Sequence, residues 1–169
     1  MWILFLVLIV LGVFFFIAIS NGVKSSGTPN NSFKQKLFLT NNEMEFLGRL
    51  ERAVPEFRFH AQVAMGALVD PKINRKDNGK LYMSLRGKFS QKIVDFVAQE
   101  KETGKIIAII ELDDITHNTQ KDDSRDSITK QAGYKTIRWQ SKKKPTIEEI
   151  RMELMKVKNS ENTVKLFKR

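Results

Sequence analysis

The sequence predicts an α/β fold, in which helices flank a single mixed sheet and an apolar segment precedes the folded part. Two observations lead to this prediction. Short β-branched runs bounded by turn residues indicate strands, and apolar residues at helical spacing behind capping signals indicate helices. The two kinds of element alternate through residues 37–169, a length that suffices for one hydrophobic core. The order helix, strand, hairpin, helix, strand, helix is typical of a sheet covered by helices.

Residues 1–20 predict a membrane anchor. The run from Met1 to Ile19 is uncharged and would span about 28 Å as a helix, close to the ~30 Å hydrocarbon core of a bilayer. A cleaved signal peptide is the alternative, with a passable cleavage site at residues 18–20. Lysines follow this run and none precedes it, so the positive-inside rule predicts that the following domain is cytoplasmic. Residues 21–36 have the composition of a flexible linker.

A helix and a strand open the folded part. Thr40-Asn41-Asn42-Glu43 matches a capping box and predicts a helix from Asn41 to Ala53. Residues 57–65 alternate apolar and polar side chains, as a half-buried strand does. The basic stretch over residues 70–87 predicts irregular structure.

A β-hairpin follows. Residues 92–100 and the run that begins at residue 106 both have strand patterns. Gly104 suits a three-residue turn in the left-handed conformation, which would pair Lys101 with Lys105.

The hairpin carries acidic side chains. Counting back from the turn places Asp95 across from Glu111, with Cβ atoms roughly 5 Å apart. Asp113 projects from the same face, two residues beyond Glu111. These carboxylates repel one another unless a divalent cation lies between them. The hairpin therefore predicts a three-carboxylate site for Mg²⁺ or Mn²⁺, although a register slip of one residue would move Asp95 to the other face.

Three further elements complete the predicted fold. A helix over residues 122–132 ends at Gly133, and a strand follows over residues 134–140. A second capping box, Thr146-Ile147-Glu148-Glu149, begins the last helix.

The acidic motifs resemble a known superfamily. Asp95, a hairpin and then Glu111-Leu112-Asp113 resemble the PD-(D/E)xK restriction-endonuclease-like superfamily, with Asp113 where lysine is more usual. A longer pattern is similar to a bacterial domain-of-unknown-function family that itself resembles very-short-patch-repair endonucleases. That pattern comprises Leu39-Thr40-x-x-Glu43, Gln62-Val63, Glu111-Leu112-Asp113-Asp114-x-x-His117, Arg125-Asp126, Gly133-Tyr134 and Arg138-Trp139.

The resemblance implies a restriction-endonuclease-like core and a nuclease acting on nucleic acid. It implies that Asp95, Glu111 and Asp113 bind the metal and act in catalysis. His117 or Lys130 would replace the missing lysine. With the predicted anchor, the bacterial family implies a single-pass protein of the bacterial inner membrane whose C-terminal domain is cytoplasmic.

Other side chains have both a functional and a structural interpretation. Arg125 and Arg138 are candidates for binding phosphate or for ion pairs with Asp122 or Asp126. Glu43 matches the family's first acid and is a secondary candidate, but its capping role alone explains it. His117 has the alternative of being an exposed loop residue, and Asp95 and Glu111 that of pairing with Lys92 or Arg138.

The charge distribution favours a polyphosphate partner. The chain has a net charge of +10, with basic residues concentrated in 70–92 and 127–169 and acidic residues in 111–126. Basic flanks around an acidic pocket suit nucleic acid; solvated lysines or anionic lipid are the alternative. The functional hypotheses are thus a membrane-anchored nuclease, a non-catalytic binding module of the same fold, and a structural membrane protein with a basic surface.

Overall fold

The computed structural model describes residue 2, residues 32–113 and residues 119–166, without the side chains of 119–124 and 161–166. The chain divides into two compact units, Met1–Lys36 and Leu37–Arg169. Among the described residues, no helix has the length and apolarity needed to cross a membrane. The predicted anchor, apart from Trp2, and most of the predicted linker lie outside the described residues, as do Asp114 and His117.

The second unit contains four helices and four strands in the described ranges. They are α1 (Asn41–Ala53), β1 (Phe57–Ala64), α2 (Gly79–Gly87), β2 (Ile93–Glu100), β3 (Ile106–Asp113), α3 (Thr119–Gln131), β4 (Thr136–Gln140) and α4 (Ile147–Leu166), with short 3₁₀ turns at Met65–Ala67 and Ser141–Lys143. The predicted α/β class is confirmed.

The four strands form one mixed sheet in the order β1-β2-β3-β4. The first three strands are antiparallel neighbours, and β4 pairs in parallel with β3. In that last pair Glu111 lies beside Arg138 and Asp113 beside Gln140. A parallel pair needs a crossover connection, and α3 lies within it.

The predicted hairpin turn is wrong in detail, but the register beyond it is as predicted. The Glu100 N–H donates to the Lys105 carbonyl over 2.9 Å, so the closing pair is not Lys101 with Lys105. Gly104 has a φ of 70°, the left-handed conformation that the turn requires. A register shift after Ala98 then absorbs the extra residue.

One face of the sheet packs against α1 and α4. The aromatic ring of Phe46 in α1 meets Phe96 and Trp139 edge to face, with centroids 5.9 Å and 5.6 Å apart. Leu50 from α1 and Ile150 from α4 lie in the same buried cluster. Trp139 is partly buried and packs against this cluster.

The other face is covered by α3 and the segment after β1. Met65, Phe89 and Ile109 belong to its buried cluster, against which Ile128 of α3 packs. The segment is not wholly irregular, contrary to the prediction, because α2 lies within it. The Asn78 side chain caps this helix by accepting from the Leu81 N–H over 2.9 Å; none of the α2 residues is fully buried, which explains its weak apolar signal.

The starts of α1 and α4 follow their predicted capping boxes. The Glu43 carboxylate accepts from the Thr40 N–H over 2.7 Å, and the Thr40 hydroxyl accepts from the Glu43 N–H over 3.2 Å. Thr146 and Glu149 make the same reciprocal contacts. These contacts satisfy N–H groups that have no partner within the helix.

Phe46→Ala should lower the free energy of unfolding by about 3–5 kcal/mol, because it empties a fully buried site. Met44→Ala on the same helix is the control, since Met44 is 56% exposed, and should change stability far less. Urea denaturation measures both. A loss below about 1 kcal/mol for Phe46→Ala would contradict this packing.

Candidate functional site

The acidic ends of β2 and β3 form the centre of the candidate site. Phe96 pairs with Ile110, so the next position along the ladder places Asp95 across from Glu111. Their carboxyl groups share a hydrogen bond. Glu111 is 3% exposed, and a carboxyl group so placed is costly to ionise without a partner. Asp95 and Glu111 therefore meet on one side of the hairpin, as predicted.

Burial and mutual repulsion make this pair hard to ionise fully. Burial raises the pKa of Glu111 to about 8, and the Asp95 charge acts in the same direction, opposed by the charges of Arg125 and Arg138. Burial also raises the pKa of Asp95, and the hydrogen bond that Asp95 accepts from the Leu112 N–H lowers it. We infer that the shared proton resides on Glu111, because one Asp95 oxygen accepts the backbone bond from Leu112 over 2.8 Å.

Arg125 of α3 provides a positive charge beside the pair. Its guanidinium NH1 lies 3.7 Å from Glu111 Oε1, and its side chain is one-fifth exposed. The same nitrogen lies 3.5 Å from the Ile93 carbonyl. Arg125 thus connects α3 to the ends of both acidic strands.

Asp113 forms an ion pair with Arg138. Arg138 NH1 donates to both Asp113 carboxylate oxygens, over 2.8 Å and 2.9 Å. The opposite side of the same guanidinium donates to Asp126 of α3, over 2.8 Å and 3.1 Å. These two carboxylates raise the pKa of Arg138. The predicted ion pair between Arg138 and Asp126 is therefore present.

Glu43 of α1 and Gln62 of β1 extend the cluster. Gln62 Nε2 donates to Glu43 Oε1 over 3.0 Å, whereas the capping contacts with Thr40 use the other oxygen, Oε2. The Glu43 charge adds to burial in raising the pKa of Asp95. Capping alone therefore does not account for all the contacts of Glu43.

Lys130, a further predicted site residue, is not brought to this cluster. Lys130 is exposed in the last turn of α3, where it lines a separate cavity of about 400 Å³ with Tyr134 and Lys156. His117 lies outside the described residues. Within residues 32–113 and 119–166, no three acidic or histidine side chains are grouped as a ready metal centre.

The Asp95–Glu111 pair nevertheless fits a divalent cation on chemical grounds. Two touching carboxyl groups need either a proton or a cation between them, and Mg²⁺ is commonly bound through one or two carboxylates with water and substrate oxygens completing its shell. Arg138 donates to both Asp113 oxygens, so a metal bound by Asp113 would share those oxygens with Arg138. Its predicted role as a ligand stays a prediction.

A basic groove lies next to this cluster. It has a volume of about 620 Å³ and runs between β4 and the start of α4. Its lining includes the basic residues Lys135, Arg138, Lys143 and Lys144 and the acids Glu149 and Glu153. Lys144 is paired with Glu45. The groove is of a size to receive part of an extended anionic chain.

Two residues at the site are not among the metal-binding, catalytic or phosphate-binding candidates that the sequence predicts. The sequence predicts Asp126 only as an ion-pair partner, and its contact with Arg138 depends on how α3 packs over β4. Gln62 has a positive φ of 53°, and its alternating strand pattern gives no sign of it. The Gln62-Val63 motif in the family pattern was the available signal.

Residues 34–157 match the protein family described as "Protein of unknown function (DUF2726)". No curated protein and no solved structure matches the chain.

The raised pKa of Glu111 predicts how metal-free stability depends on pH. The folded state resists ionising Glu111, so stability should be highest below the ordinary glutamate pKa of 4.5 and fall until pH passes about 8. Glu111→Gln should remove this component of the decline. Urea unfolding at several pH values in the presence of a chelator measures it. Glu51→Gln removes an exposed carboxylate and is the control; equal slopes for wild type and Glu111→Gln would contradict the assignment.

Proposed function

The chain belongs to the DUF2726 family, and we propose that it is a metal-dependent, nuclease-like protein that hydrolyses phosphodiester bonds of nucleic acid at a membrane. The observation that carries the proposal is the contact between the partly buried Asp95 and the buried Glu111 on neighbouring strands. A carboxyl pair that only a proton or a cation can stabilise is uncommon outside functional sites.

The order of elements supports a restriction-endonuclease-like core. A helix, a hairpin with Asp95 on one strand and Glu111 on the next, and a crossover helix to a parallel strand follow one another here. These are the places where the resemblance to the PD-(D/E)xK superfamily puts its two acids. The relationship to that superfamily is part of the proposal.

The proposed chemistry assigns a role to each side chain around the pair. Asp95 and Glu111 would bind Mg²⁺ or Mn²⁺, which polarises a phosphate and activates a bound water. Arg125, which lies against Glu111, would exchange this contact for a substrate phosphate once the cation is bound. Glu43 would supply a further oxygen close to Asp95.

Nucleic acid is the proposed substrate because of the groove beside β4. Arg138 connects the groove to the acidic cluster, because it lines the groove and binds Asp113. Phosphates of the backbone could be bound by Lys135 and Lys143 of the groove while one phosphate reaches the acids. Both DNA and RNA have the phosphate backbone that this arrangement would bind.

One observation favours a second function, a binding module without catalysis. Asp113 stands where the superfamily usually has lysine, and Arg138 occupies both its carboxylate oxygens. A carboxylate bound in this way does not replace the positive charge of the missing lysine. In this alternative the arginine and acid network only stabilises the fold, and the basic groove binds nucleic acid or an acidic partner.

The full-length protein, in detergent, should cleave nucleic acid only when Mg²⁺ or Mn²⁺ is present. Asp95→Asn should reduce the rate at least about a hundredfold, because it replaces a charged ligand with an amide of the same shape. The same amide can still accept the Leu112 N–H bond, so folding should be intact. Single- and double-stranded DNA and RNA are the substrates to test.

Asp77→Asn is the matched control, since Asp77 is an exposed carboxylate in the loop before α2; its cleavage rate should equal that of wild type. Binding of nucleic acid without cleavage in either metal would favour the module. Neither binding nor cleavage would exclude both functions.

We also propose that residues 1–20 anchor the protein in the bacterial inner membrane with residues 37–169 in the cytoplasm. The support is the uncharged run in the sequence and the lysines after it. The protein should stay with membranes in carbonate and be shielded from protease in intact cells. A shortened, released product would instead identify a signal peptide.

A further inference from the structure

Gln62 has an unusual backbone for a residue in the middle of a strand. Its φ is 53°, and it is the one residue other than glycine with a positive φ in the described ranges. Side chains with a Cβ atom seldom adopt this conformation, because the Cβ atom approaches the following carbonyl oxygen. Such strain persists only where surrounding structure enforces it, and it is concentrated at functional sites.

The strain occurs directly opposite the acidic pair. The β1–β2 ladder pairs Ala61 with Phe96 and Val63 with Val94, and it omits the position between them. That position places Gln62 across from Asp95. The strand is regular on both sides, so the irregularity is confined to the residue that faces the site.

The Gln62 side chain contacts Glu43. Gln62 Nε2 donates to Glu43 Oε1 over 3.0 Å, while the Thr40 capping bonds hold Oε2. Glu43 is thus fixed through both oxygens by two separate segments of chain. Helix capping needs only the contacts between Glu43 and Thr40.

We propose that Gln62 is a positioning residue: its left-handed backbone directs its amide to Glu43 and keeps the Glu43 carboxylate on the β1 side of Asp95, from where it becomes the third acid of the proposed cation site when a cation binds. The inference rests on the proposed function and refines it. The role of Asp113 is then structural, because Arg138 of β4 binds both Asp113 of β3 and Asp126 of α3.

Gln62→Gly tests the proposal, because glycine adopts a positive φ freely and the substitution removes only the amide side chain. The dissociation constant for Mn²⁺, measured by calorimetry on the full chain in detergent, should rise at least about tenfold, as when a residue that orients a metal ligand is lost. The melting temperature should equal or exceed that of wild type, because backbone strain is relieved.

A double-mutant cycle with Glu43→Gln shows whether Gln62 acts through Glu43. Each substitution should weaken Mn²⁺ binding, and the two together should weaken it no more than Glu43→Gln alone. His60→Ala is the control: it lies on the same strand and loses a bond to Gln99, so it should leave Mn²⁺ affinity within about twofold of wild type. Additive losses would overturn the proposal.

The outcomes separate this inference from the proposed function. A wild type that binds no Mn²⁺ overturns both. A wild type that binds Mn²⁺, with Gln62→Gly binding equally well, overturns only the role of Gln62. If Gln62→Gly does not fold, Gln62→Asn decides by the same criterion, because asparagine tolerates the left-handed region but is one methylene too short to keep the Glu43 contact.

Discussion

Two carboxyl groups in contact, largely removed from water, are the constraint on which the rest of this structure depends. Asp95 and Glu111 cannot both be ionised there without a positive partner, so each nearby feature reduces that cost. The Leu112 N–H holds one Asp95 oxygen, a proton remains on Glu111 because burial raises its pKa to about 8, and Arg125 lies 3.7 Å away. A fold selected for stability alone would gain by replacing such a pair with apolar side chains. Its presence is the physical argument for a function.

The two arginines divide the acids into two groups with different consequences. Arg138 binds Asp113 and Asp126 through the two sides of its guanidinium, which connects β3, α3 and β4 and largely neutralises those acids. Arg125 makes a longer contact with Glu111, which a cation and a phosphate could replace. The catalytic hypothesis depends on Glu111 and the longer contact with Arg125. The binding-module hypothesis depends on the network of Arg138 with Asp113 and Asp126. In the proposed cation site the third acid is Glu43, which Gln62 of β1 holds, whereas Asp113 lies on β3.

The features that the sequence predicted well are those determined by local chemistry. The capping box at Thr40 and Glu43 defines the start of α1 through contacts within four residues, and alternation across the hairpin places Asp95 opposite Glu111. The hairpin turn was predicted incorrectly and the register survived, because the shift after Ala98 compensates. The partner of Asp113 depends on β4 lying beside β3, which local patterns do not specify. The conformation of Gln62 likewise depends on contacts from α1, and the β1 pattern alone predicts an ordinary strand residue.

The proton shared by Asp95 and Glu111 is the central claim, and counting protons released on metal binding tests it most directly. Mn²⁺ is titrated calorimetrically into the full-length protein at pH 7 in buffers that differ in ionisation enthalpy. A cation that takes the place of the proton between these two carboxyl groups should release about one proton for each ion bound. The number released should fall towards zero well above pH 8, where Glu111 is already ionised. Metal binding at pH 7 with no proton released, or no binding at all, would contradict the account.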